Sequence, residues 1–166
     1  LPASTFKIIN SLIGLQTGKI SNDSMVIKWD GVKRRVEDWN KDLTMYEAFR
    51  VSAVNYYQEV ARRIGKDTMQ YWLNNIKYGA KSDTDKIVIK TAIDSFWLDN
   101  SLKVTPDQEL GVVKRLYFNQ LGDFFKTYQE TVKRAMLFES NANYRLGYKS
   151  GWGKKKKNHA IGWIVG

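Results

Sequence analysis

The sequence predicts an α+β fold, a helical region packed on an antiparallel sheet, and three observations predict it. Apolar residues recur at helical spacing through most of the chain, from Phe6 to Leu137. Two strand-like runs, Tyr144-Arg-Leu-Gly-Tyr-Lys149 and Ala160-Ile-Gly-Trp-Ile-Val165, then close it. Neither an internal repeat nor a low-complexity linker divides the 166 residues, so helices and strands share one domain over 1–166.

Taken in order, Ile8, Ile9, Leu12, Ile13 and Leu15 predict a helix over 5–17 that Gly18 ends, with Ser4 at its N-terminus. Met25 to Trp29 reads as a short strand, Asp30-Gly31 as a turn, and the polar stretch to Asn40 as irregular surface. Val54, Tyr57, Val60, Ala61 and Ile64 share a face of a helix over 52–64, closed by Gly65. A second follows from Asp67 to Ile76, with Met69, Trp72, Leu73 and Ile76 inward. Thr105-Pro106-Asp107-Gln108 is a start signal: Thr caps, Pro suits the first helical position and Gln completes a capping box. That helix should run to about Gln120, another should span 123–137, and the last two runs should lie side by side as a hairpin.

Composition removes several kinds of chemistry. Without cysteine there is no disulfide, thiol nucleophile or thiolate metal site. The one histidine, His159, would have to carry any metal site or Ser-His-Asp triad alone, so no metal is expected. A net charge of +10 and the run Lys154 to Lys157 raise nucleic-acid binding. The run sits between strand-like segments, however, and reads as a solvated hairpin tip, so no nucleic-acid partner is expected. No apolar stretch reaches the roughly 18 residues of a membrane span. The abrupt start at Leu1-Pro2-Ala3 and the strand-like end lead us to expect an internal piece of a longer protein.

Ser4-Thr5-Phe6-Lys7 is a Ser-x-x-Lys motif at a helix start, where a spacing of three puts both side chains on one face. A serine hydroxyl attacks only when something takes its proton, and a lysine can do so only when burial suppresses its charge. Taken alone the motif is weak, because Ser and Lys three apart occur by chance in most proteins and an N-capping Ser4 is the commoner explanation.

Further elements follow in order: Ser52-Ala53-Val54 at a helix start and Lys149-Ser150-Gly151 on a predicted strand. Together with Pro2-Ala3-Ser4-Thr5-Phe6-Lys7-Ile8, Tyr57-Gln58-Glu59 with Ala61-Arg62, and Phe96-Trp97-Leu98, they resemble the class D (oxacillinase-type) serine β-lactamases over essentially the whole chain. Ser52-x-Val54, where class A enzymes have Ser-Asp-Asn, favours class D. Tyr78-Gly79-Ala80 is similar to the family's Tyr-Gly-Asn but lacks the Asn, and Ser150 stands where Thr is commoner.

The resemblance implies a β-lactamase/transpeptidase-like fold and a β-lactam as small-molecule substrate. Ser4 would open the ring to give an acyl-enzyme that water then hydrolyses. Lys7 would be the base of both steps, carboxylated by carbon dioxide, with Val54 and Trp97 forming the carbamate pocket and no other cofactor. Ser52 would relay a proton to the leaving nitrogen, and Lys149 would supply positive charge near it. Ser150 and Gly151 would bind substrate, and the backbone N–H groups of Ser4 and Trp152 would form the oxyanion hole. The family's earlier strands, its last strand and helix, and its carboxylate-binding arginine would lie outside these residues. A location outside the cytoplasm is implied too. A β-lactam sensor that stays acylated and a penicillin-binding transpeptidase share these motifs, although the Trp97 context and the Tyr57 run look more like the enzymes.

Overall fold

The computed structural model describes residues 1–80, 82, 85–154 and 160–166, with the side chain of Lys154 excepted. His159 and most of the lysine run that reads as a hairpin tip lie outside the described residues.

The chain opens with a 3₁₀ turn, Ala3–Phe6, which runs into α1, Lys7–Gln16. Every residue of α1 from Lys7 to Leu15 is buried, the polar Lys7, Asn10 and Ser11 included, as befits a helix at the centre of the core. Thr17 and Gly18 stop it, Gly18 taking a φ of +68° that only glycine adopts cheaply. Against α1 pack α3, Val54–Ile64, and α6, Lys126–Met136. Gly14 lets α3 come close: a Cβ there would stand 2.7 Å from Ile20 and 3.2 Å from Val60.

Between them lie β1, Val26–Ile27, and β2, Leu43–Thr44, an antiparallel pair, and then α2, Met45–Arg50. The helix α2 was not expected from periodicity. It is nucleated by a capping box in which Thr44 accepts from the Glu47 backbone while the Glu47 carboxylate accepts from that of Thr44. Helices α4, Lys66–Asn75, and α5, Pro106–Tyr117, match the expected ones. The capping box at Thr105 and Gln108 forms as the sequence predicts.

The strands differ from expectation in their pairing. The last helix ends at Met136, and β3, Leu137–Ser140, turns back on β4, Arg145–Gly147. After Tyr148 the chain begins β5, Lys149–Lys154, which pairs antiparallel with β6, Ala160–Val165, over its whole length. The expected single strand Tyr144–Lys149 is thus divided between two antiparallel pairs. A side-chain alternation cannot reveal this, because it carries no record of which neighbour each half finds. The α+β class stands, with helices packed beside small antiparallel sheets.

Candidate active site

Four separated stretches meet at one place. Ser4 is half-buried inside the 3₁₀ turn, and neither that turn nor α1 has a side-chain N-cap. The hydroxyl is therefore not capping a helix: Lys7 Nζ donates to Ser4 Oγ at 2.8 Å. Lys7 is wholly buried. Loss of solvation, and secondarily the nearby charge of Lys149, holds its amine well below the usual lysine range. The ring of Tyr57 lies 5.6 Å from its nitrogen.

Ser52 sits at the junction of α2 and α3 with a φ of +57°, a left-handed conformation costly for a residue with a Cβ. Lys149 Nζ donates to Ser52 Oγ at 3.0 Å and to the Ser150 carbonyl at 3.0 Å. Lys149 is buried, not the exposed strand lysine its local sequence suggests, and burial lowers it to about 8. The Phe49 ring stands 5.7 Å from its nitrogen. Val54 is the half-buried first residue of α3.

Strand β5 presses against the 3₁₀ turn. A Cβ at Gly151 would lie 2.8 Å from the Pro2 carbonyl oxygen, so only glycine permits this approach. Trp163 of β6 donates through Nε1 to the same oxygen at 3.3 Å. The Trp152 side chain is exposed, leaving its backbone as the part that can serve a site, and Ser150 is exposed as well.

Trp97 is fully buried and stacked on Phe6, ring centroids 5.2 Å apart. Its carbonyl accepts from Ala3 N at 3.1 Å, whereas its own Nε1 is a buried donor with no partner among the described residues. Gln58 and Arg62 of α3 bind the Asp94 carbonyl and carboxylate, which anchors the segment leading to Trp97.

The structure thus brings Ser4 to Lys7 and Ser52 to Lys149, and places Gly151 and Trp97 against the turn that carries Ser4. Phe49, Tyr57, Glu109 and Trp163 were not singled out for the site by sequence. Glu109 had a visible signal: it sits at the i position of an apolar stripe with Val112, Val113 and Leu116, where a carboxylate needs a reason. Among the described residues no group of three acidic or histidine side chains could hold a metal ion, and no helix is long and apolar enough to cross a membrane.

Residues 1–166 match the family model of the penicillin binding protein transpeptidase domain. The solved class D β-lactamase YbXI from Nostoc superposes with a TM-score of 0.90 at 40% identity, over 100% of this chain and 67% of that one. The probable β-lactamase YbxI of Bacillus subtilis is 39% identical over 99% of this chain and 58% of its own length. The regulatory protein BlaR1 of Bacillus licheniformis is 30% identical over 99% of this chain but only 26% of its own length. The chain belongs to the penicillin-binding transpeptidase-domain family, in its class D β-lactamase branch. It spans about 60% of the length of the curated β-lactamases it matches.

Proposed function

We propose that the protein is a class D serine β-lactamase acting outside the cytoplasm, opening β-lactams through an ester on Ser4. The observation that carries this is the 2.8 Å contact between Ser4 Oγ and the nitrogen of a wholly buried lysine, whose neutral form burial favours. A neutral Lys7 accepts the Ser4 proton as Oγ bonds to the lactam carbonyl carbon. The oxyanion is met by backbone N–H groups, for which Ser4 and Trp152 are the candidates. The ring C–N bond then breaks, and the departing nitrogen takes a proton through Ser52, supplied from Lys149. Lys149 and Ser150 bind the substrate carboxylate. Once the proton on Lys7 has passed on to restore Lys149, Lys7 takes a proton from water as the water oxygen bonds to the ester carbonyl carbon, and returns it to Ser4 Oγ as the C–O bond breaks and the product leaves.

The residues present fit a carbamate on Lys7. Carbon dioxide reacts with neutral amines, which is the form burial favours, and Trp97 Nε1 is a buried donor in want of an acceptor. Val54 and Trp97 would hold the group, and when bound it would supply a carboxylate-type base on the lysine.

A second reading, a sensor that remains acylated, is favoured by the BlaR1 relative. Nitrocefin turnover by the intact protein, with and without bicarbonate, together with intact mass after penicillin exposure, separates the two. Sustained, bicarbonate-dependent turnover that disappears in Lys7→Ala is expected. One stable adduct on Ser4 without turnover would overturn the hydrolase reading and leave the sensor or a transpeptidase.

A further inference from the structure

Behind the 3₁₀ turn lies a buried polar cluster that the chemistry above does not use. Glu109, in the first turns of α5, is buried, as are Thr5 and Tyr78. Thr5 Oγ1 lies 2.8 Å from Glu109 Oε1 and 2.8 Å from the Pro2 carbonyl oxygen. Tyr78 OH donates to the same Glu109 oxygen at 2.6 Å. A buried carboxylate is costly to desolvate, and it sits where an apolar residue would complete the helix stripe. The helix N-terminus and the Tyr78 hydroxyl offset part of that cost, the single Thr5 proton is shared between Glu109 and the Pro2 carbonyl, and burial still holds the Glu109 carboxyl above its usual range.

Thr5 follows Ser4 directly. The residue before Ser4, Ala3, is held at a φ of +51°, a conformation that a side chain disfavours and that its surroundings must enforce. Those surroundings are few: Ala3 N on the Trp97 carbonyl, Trp163 Nε1 on the Pro2 carbonyl, and Thr5 reaching back to Pro2 and across to Glu109. The last ties the turn to the helical layer, through a buried carboxyl on α5.

We propose that Glu109 is a positioning residue for Ser4. Seated on α5 and steadied by Tyr78, it holds the Thr5 hydroxyl and so fixes the turn that aims the Ser4 oxygen and backbone N–H. The inference rests on the reading of Ser4 as the acylated nucleophile.

The test is the rate of acylation of the intact protein by a fluorescent penicillin, with thermal melts of each variant alongside. Thr5→Val keeps the shape and removes the hydroxyl. A displacement of about 1 Å at a reacting group can cost roughly 100-fold, so the saturating rate should fall about 10- to 100-fold with little change in half-saturation. Thr5→Ser should restore it. Glu109→Leu should slow acylation similarly, Glu109→Gln, which keeps an acceptor oxygen, much less. Glu109→Leu should also add nothing in the Thr5→Val background, because one acts through the other. If Thr5→Val does not fold, the Gln and Leu pair at Glu109 carries the same comparison. Acylation of Thr5→Val within about twofold of the unsubstituted protein, or equal rates for the Gln and Leu variants, overturns the positioning role alone. Failure of the unsubstituted protein to be acylated overturns it together with the functional reading.

Discussion

Two lysines stand at this site, each with its nitrogen on a serine hydroxyl, and burial treats them differently. Lys7, wholly buried, is held well below the usual lysine range, which favours the neutral form that a base needs. Lys149 comes down only to about 8, so near neutrality it keeps the charge an anionic substrate needs. Acylation by a penicillin should therefore decline as pH rises through about 8. Stability should move the other way. The folded-state value lies below the ordinary 10.5, so between the two the unfolded chain holds a proton that the folded chain lacks, and stability increases with pH through that window. Below it the cost of the buried charge is fully present. Lys149→Met should consequently abolish acylation yet raise the melting temperature at about pH 7, with a gain that shrinks at about pH 10. Melts and acylation rates at both pH values check this, and a gain equal at the two would refute the buried-charge account.

At the scale of elements, the close seating of β5 on the 3₁₀ turn carries the geometry. In Gly151→Ala the new Cβ would stand 2.8 Å from the Pro2 carbonyl oxygen, 3.0 Å from Trp163 Nε1 and 3.2 Å from Thr5 Cγ2. A backbone oxygen pinned by Trp163 cannot swing aside, so the strand and the turn must part. A loss of acylation on the order of 100-fold is expected, with destabilisation of about 1–3 kcal/mol. Gly111→Ala is the control, because its Cβ meets nothing within 4 Å inside a helix. It should stabilise by about 0.5–1 kcal/mol and leave acylation unchanged. Acylation rates and denaturation midpoints for the pair decide the matter. The elements themselves were largely legible. The helices around Ile8, Tyr57, Leu73 and Val112 follow from spacing and caps, whereas α2 is too short to establish a period and shows only its Thr44–Glu47 box. The division of Tyr144–Lys149 between two strand pairs was illegible, because pairing is decided by partners remote in sequence.

Over the whole molecule the site is a product of tertiary contact. Ser4 with Lys7, Ser52, Trp97 and Lys149 come from four stretches of chain, and each motif taken by itself admits a bland reading. Their order along the sequence pointed to a shared site. The burial of Lys149 and the clamp on Ala3 needed the fold, since neighbours from other stretches create them. Charge is likewise a property of the whole. At +10, with the buried Lys149 nitrogen on Ser52 in the same site, the protein presents a positive field to an approaching carboxylate. Salt shortens the reach of such a field, to about 8 Å at physiological strength and about 3 Å near 1 M. The second-order rate of acylation by a penicillin anion should thus fall several-fold between low and high ionic strength. The matching methyl ester carries no charge and should react at a rate nearly independent of salt, slower because Lys149 then has no partner. Stopped-flow acylation of both compounds across a sodium chloride series measures the difference. Equal salt sensitivity would mean that ionic strength acts on the protein's conformation, and the field would then contribute nothing to capture.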